Sequence, residues 1–403
     1  MVRTPPECQP TSWGGMGHVT AIAPRHRATV RRGAAGPPVG WEVMRESPPP
    51  GPAEFPDAHG SVPPQVTEDG RGRAATDPAA SAGPAGPPQA PPGPRSPVPG
   101  AAYHRVAATV PRRWWIAPLA LLCAAVVWLA AVAVVMLLAT MVSVVVPLLF
   151  GAEVSGDDTT IYGHPVADLT VQLLMLTLLI PAVYLVARVV QGRRPGTLSS
   201  VVGHLRWRWL LYCFGAGIPA VFLALGLPVV LWAVAGAEQR LTGDFVGVQT
   251  FVFAMVVIVA LVPLQAAAEE YGLRGFVMQT AGSYTASPWL GIVVSTALFT
   301  MLHFSYTFWA LADVALFGAA MAWLIWRTGG LEAGIALHVL HNLAAFTITA
   351  WDGTLMDLET AGSWQGTVTT LVELVVFCLI VVRLADRMGI RRTVSDSRPV
   401  ARE

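Results

Sequence analysis

Two adjacent glutamates and an arginine close a long apolar run. Residues 252–268 carry no charge, and then Glu269, Glu270 and Arg274 arrive within six positions. On a continuing helix Glu270 and Arg274 form an i, i+4 pair on one face, while Glu269 points about 100° away. One carboxylate is neutralised and the other is left free. A carboxylate in or near hydrocarbon costs on the order of a few kcal/mol, so an unpaired one marks a functional site by default. Three histidines follow in later apolar runs: His303, which ends the F-x-x-x-H begun by Phe299, and His338 and His341. His338 shares a helix face with Asn342 at i, i+4, and His341 sits about 60° off that face, a third member or a bystander.

A free carboxylate, two imidazoles and an amide suit the addition of water to an amide carbonyl. Glu269 takes the proton from water, His338 and Asn342 donate to the developing oxyanion, and His303 holds the water or the leaving group. The same residues offer a second arrangement, in which Glu269, His303 and His338 hold a divalent metal such as zinc. Other hydrolase motifs are missing from the sequence: there is no H-E-x-x-H, no G-x-G-D and no G-x-S-x-G.

E-E-x-x-x-R (Glu269, Glu270, Arg274), F-x-x-x-H (Phe299, His303) and H-x-x-x-N (His338, Asn342), in this order on successive apolar helices, resemble the CPBP family. That family comprises the CaaX proteases and bacteriocin-processing enzymes, also called the Abi family. The resemblance covers residues 245–350, and its strength lies in the ordered triple rather than in any one motif. It implies an all-helical intramembrane endopeptidase, of the kind that removes the last three residues of prenylated CaaX proteins in eukaryotes. It also implies that Glu269 activates the water, that His303, His338 and Asn342 complete the site, and that Glu270 with Arg274 is mainly architectural. The family is commonly described as metalloproteases, and the sequence leaves the metal-free and metal-assisted readings both open. Leu273 stands where the family often has Phe, a conservative departure.

Two rival functions use the same residues. A proton-coupled transporter also needs buried Glu, Asp and His, but it predicts two repeated halves with Gly/Pro-broken helices, and no such repeat is present. A non-catalytic membrane scaffold or bacteriocin-immunity protein could retain the fold, although every motif residue is in place.

The elements that must position these residues are membrane helices. With 403 residues, 54% hydrophobic and only 13% charged, and a mean hydropathy of +0.54, the chain is too apolar for a soluble protein. Its expected partners are the lipid bilayer and a peptide or protein substrate entering from it, not nucleic acid. The cysteines show no C-x-x-C spacing, so neither a disulfide framework nor a thiolate zinc site is indicated. All 26 basic residues are Arg, a bias that a GC-rich bacterial coding sequence produces.

Apolar runs predict about eight spans, at 114–150, 167–187, 209–235, 246–268, 287–305, 307–326, 331–350 and 365–382. The chain then divides into a tail (1–110), three helices (111–244), the catalytic core (245–350) and a last helix with a short basic tail (351–403). The tail holds two thirds of the 33 prolines, in runs such as PPPGP and GPAGPPQAPPGP, and is expected to be disordered. Arg112 and Arg113, the five arginines from Arg188 to Arg208, then Arg274, Arg327 and the four from Arg383 to Arg392 fall on one side of this topology. The acids of the alternate loops fall on the other, with Arg240 the main exception. Both termini are therefore expected in the cytoplasm, under a bacterial plasma membrane.

Depth is the remaining constraint. Measured from a turn at 282–287, Glu269 and His303 each lie roughly 25 Å along their helices, whereas His338 lies roughly 12 Å past Gly329 and Gly330. For the three to meet, residues 271–287 must extend beyond the end of the other helices. The other intramembrane acids, Asp313 and Glu373, are expected to pair across helices or to serve a proton or substrate path. Glu332 is placed at the interface.

Overall fold

The structure, a computed structural model, describes residues 96–108, 113–150, 162, 164–235, 244–355 and 362–395. Most of the proline-rich tail, residues 1–95, lies outside the described residues. The described residues nevertheless include 96–108, a stretch that the sequence assigns to the tail. Residues 103–105 form a 3-10 turn in which Tyr103 is fully buried.

The chain is all-helical among the described residues. The helices are α1 (Ile116–Phe150), α2 (Pro165–Thr177), α3 (Leu179–Val189), α4 (Trp207–Ala235), α5 (Val248–Glu269), α6 (Gln279–Gly282), α7 (Trp289–Met301), α8 (Phe308–Thr328), α9 (Glu332–Asp352) and α10 (Trp364–Arg387). A π-helical segment, Glu270–Met278, joins α5 to α6, so that one continuous helix of 35 residues runs from Val248 to Gly282. Helices α2 and α3 likewise form one crossing, interrupted only at Leu178.

Seven of these runs are long and apolar enough to cross a bilayer. The eighth apolar helix, α7, has 13 residues. That is about 20 Å, short of the roughly 30 Å hydrocarbon core. The fifth expected span, 287–305, is thus a shorter helix than its apolar run suggests, and its last residues form the turn that carries His303.

Burial ranks the helices. Only 6% of the most apolar window of α1 is buried, against 44% for α9, which therefore forms the centre of the bundle. A helix apolar on every face suits a position against lipid, and α1 has no polar stripe to hide. Helix α9 packs against α4, α5 and α8, while α10 closes the back against α4 and α8. Helix α7 packs on α8 and the π-helical segment, and α5 on α9 and α2.

One end of the bundle is fastened by loops. The 190–206 connection is tied to the α8–α9 turn by Val201 N–H donating to the Gly329 carbonyl (2.9 Å) and Leu331 N–H donating to the Ser199 carbonyl (2.9 Å). Gly329 ends α8 at φ +74°, the left-handed conformation that favours glycine. At the same level a Cβ on Gly275 would lie 3.2 Å from the Leu198 carbonyl oxygen and 3.5 Å from Leu331.

This level settles the depth problem. Glu269 lies six residues from Gly275 and His338 seven from Leu331, so both sit roughly 9–10 Å from one plane. Measuring Glu269 from the 282–287 turn misjudged the reference, because the helix continues past the plane. The extension is not bare: Tyr271–Thr280 is buried throughout, covered by the 3-10 turn at Tyr103 and by the 190–198 loop. The Tyr103 hydroxyl donates to the Leu198 carbonyl there, and Gln279 Nε2 donates to the Thr197 carbonyl at 3.0 Å.

Candidate active site

The site forms where the end of α5, the π-helical segment, α7, α8 and the middle of α9 meet. Arg274 Nη1 donates to Glu270 Oε1 at 3.0 Å, and both side chains are fully buried. The second guanidinium nitrogen, Nη2, donates to the Gly318 carbonyl of α8 at 3.2 Å, and the guanidinium lies 4.5 Å over the Phe299 ring of α7. One cation thus binds three elements together, and it is spent on Glu270. Glu269 is left without it.

His338 lies between the two glutamates. Its Nδ1 is 2.8 Å from Glu270 Oε1, and its Nε2 is 3.4 Å from Glu269 Oε2. Glu270 Oε1 already accepts from Arg274 and can only accept from the ring, so the Nδ1 proton is fixed. Nε2 is then the nitrogen that faces Glu269. The other oxygen of Glu269 accepts from Gln265 Nε2 at 2.6 Å, and Gln265 Oε1 accepts from Asn342 Nδ2 at 3.1 Å. Asn342 therefore reaches Glu269 through an amide, keeping its second N–H for another acceptor. The Glu269 side chain is 14% exposed, against none for Glu270, so only the unpaired acid is open to water.

Phe299 is the hub between the histidines. Its ring centroid is 4.8 Å from that of His303 and 6.1 Å from that of His338. His303 Nδ1 donates to the Phe299 carbonyl at 2.8 Å, which leaves its Nε2 as an acceptor. The structure thus brings Glu269, Glu270, Arg274, His338 and Asn342 together and holds His303 one aromatic ring away.

His341 turns to the other side of α9. Its Nδ1 donates to the buried Glu373 of α10 at 3.1 Å, and its ring lies 5.1 Å from Phe317, which also packs 5.3 Å from His338. Glu332 is buried and paired with Arg206 at 2.6 Å, inside the loop-fastened end rather than at an open interface.

The metal arrangement does not fit these positions. Glu269 Oε2 and His338 Nε2 offer two facing donors, but among the described residues no three His, Cys, Asp or Glu side chains gather into a metal-binding group. His303, the expected third ligand, has its Nδ1 on the Phe299 carbonyl and its ring against the Phe299 ring.

Gln265 is the contact of Glu269 and Asn342 that the motifs do not include. Its signal was an i, i+4 spacing before Glu269, the same relation that joins Glu270 to Arg274. The π-helical widening that begins at Glu270 had no signal in residue types, though such segments recur at functional sites.

Comparison with known proteins places part of this chain beside a described family. Residues 248–344 match the family model described as type II CAAX prenyl endopeptidase Rce1-like. The uncharacterized protein YyaK of Bacillus subtilis (strain 168) is 25% identical over 192 residues, covering 46% of this chain and 62% of that protein. The chain thus spans about three fifths of the curated relative it matches. No solved structure matches. Glu269, Glu270, Arg274, Phe299, His303, His338 and Asn342 all fall within the matched segment, whose similarity is to the Rce1-like CAAX prenyl endopeptidases.

Proposed function

We propose that the protein is an intramembrane endopeptidase that hydrolyses a peptide bond at the membrane with water activated by Glu269. The family is one of proteases, which supports a peptidase role in general. The observation that carries the residue assignment is the division of labour between the two glutamates. Arg274 and the His338 Nδ1–H both go to Glu270 Oε1, while among the described residues Glu269 meets neutral Gln265 and His338 Nε2.

In this reading Glu269 takes a proton from water as the oxygen attacks the peptide carbonyl carbon. The negative charge that develops on the carbonyl oxygen is met by N–H groups of Asn342 and of protonated His338 Nε2. When the C–N bond breaks, the proton held by Glu269 passes to the departing amine, and His303 Nε2 holds the water or the leaving group in line. Glu270 and Arg274 act through His338, whose ring they fix. No step is routed through a metal.

Substrates enter from the bilayer. In this reading the arginines of one bundle end, including Arg193, Arg206, Arg327 and Arg392, favour a cytoplasmic position for that end under the positive-inside rule, and with it cytoplasmic termini at a bacterial plasma membrane. The test is substrate capture. Membrane and secreted peptides are compared between cells carrying wild type and Glu269→Gln, and peptide ends found only with wild type name the cleaved bonds. Identical peptide ends in both would contradict the proposal.

A further inference from the structure

At the loop-fastened end lies a cavity of about 40 Å³ that the proposed reaction does not use. That is roughly three water positions, enough for a tetrahedral oxyanion head. Its polar wall consists of Arg113, Gln191, Thr280, Ser283 and Tyr284, contributed by the start of α1, the end of α3 and the end of α6.

Behind this wall is Arg193, 1% exposed. Its guanidinium donates to Gln191 Oε1 (2.7 Å), Thr197 Oγ1 (3.0 Å) and Gln279 Oε1 (2.5 Å), all neutral, and its Nη2 has no hydrogen-bond partner among the described residues. No carboxylate among the described residues pairs with it. A buried cation without a counter-ion is costly, and burial pulls this guanidinium down to about 10. Buried Arg274 has its acid in Glu270, and partly buried Arg206 has Glu332.

The hydrogen bonds running from Arg193 toward the cavity have a fixed sense. A guanidinium can only donate, so it sets Gln191 with its carbonyl inward and its amide outward. That amide donates to Thr280 Oγ1 at 3.1 Å. The Thr280 hydroxyl, having accepted there, turns its own hydrogen elsewhere, and the cavity is the space beside it. A chain of donors polarised by a buried cation, with exposed Arg113 at the rim, is an arrangement for an anion. Trp114 and Trp115 stand exposed beside Arg113, whose guanidinium lies 6.0 Å over the Trp115 ring. Such a Trp pair at a helix start marks the headgroup level of a bilayer.

We propose that this cavity binds the phosphate of an anionic membrane lipid, contacted by Arg113 and the Thr280 hydroxyl and counter-charged by Arg193 from behind.

The test uses the full chain, purified, stripped of lipid and returned to nanodiscs of phosphatidylcholine alone or with phosphatidylglycerol. Inorganic phosphate in detergent forms a separate arm. Phosphatidylglycerol is expected to raise the melting temperature and to remain bound in native mass spectrometry. Arg113→Gln and Thr280→Val should each weaken its binding about fivefold or more, the factor expected for one Arg contact near the surface. Arg387→Gln, an exposed arginine at the end of α10, serves as the control for general attraction and should have little effect. Equal weakening by Arg113→Gln and Arg387→Gln, or binding unchanged in Thr280→Val, would overturn the site. A matching rise with inorganic phosphate alone would overturn the lipid assignment in favour of a soluble anion.

Discussion

Replacing Arg274 with Met tests whether one cation separates the two glutamates. The substitution keeps an unbranched apolar stem in the buried site and removes three interactions: the 3.0 Å bond to Glu270, the 3.2 Å bond to the Gly318 carbonyl and the stack over Phe299. Breaking a fully buried pair from one side costs about 3–5 kcal/mol, because it strands the remaining charge. Here Glu270 keeps a second donor, the His338 Nδ1–H at 2.8 Å. The loss should therefore fall at the low end, about 3 kcal/mol. Removing the stranded charge as well, in Arg274→Met with Glu270→Gln, should recover roughly 1–2 kcal/mol, within the coupling range of contacting residues. The assay is a double-mutant cycle on reversible unfolding in mixed detergent micelles, starting from the wild-type chain. Single and double variants that add to within about 0.5 kcal/mol would show that Glu270 does not depend on Arg274, and the division between the glutamates would fail.

Gln265→Leu should lower kcat about tenfold with little change in KM, because it takes a charge-assisted donor from Glu269 and the acceptor from Asn342. Adding Asn342→Ala should then do less than it does alone, measured on a captured peptide in liposomes. Gly318→Ala would place a Cβ 2.9 Å from the Phe299 ring and 3.3 Å from Arg274 Nη2, and should destabilise by about 1–3 kcal/mol on thermal unfolding. His104 lies outside the membrane-spanning helices, and burial pushes it below its ordinary 6.5, against the raising effect of its bond to the Ala286 carbonyl. The fold therefore disfavours the charged ring. Its contribution is present above pH 6.5 and lost as pH falls below that value, so the melting temperature should drop between about pH 7.5 and pH 5.5, and drop less in His104→Gln.

Much of the site was legible because its chemistry is carried by charges that hydrocarbon does not tolerate. The i, i+4 spacing of Glu270 and Arg274 gave their pairing, and the solitary acid beside them was visible for the same reason. Asp313 and Glu373 stood out as intramembrane acids, but that Glu373 would take His341 depends on how α10 packs behind α9, which periodicity does not specify. The depth of His338 was misread because nothing local says that the 190–206 loop folds back to the level of Gly275. The shortness of α7 was hidden as well: residues 302–307 continue apolar enough to look like helix, yet they turn, and His303 stands in that turn rather than on the helix. Gln265 was passed over because an amide draws no attention where a carboxylate does.

Single-turnover cleavage of a captured peptide in liposomes, by wild type and by Glu269→Gln of equal melting temperature, tests the central assignment most directly. Loss of at least about a hundredfold, the least expected for a positioned general base, is the predicted result. A Glu269→Gln protein that cuts the same bond within about tenfold of the wild-type rate would contradict the account.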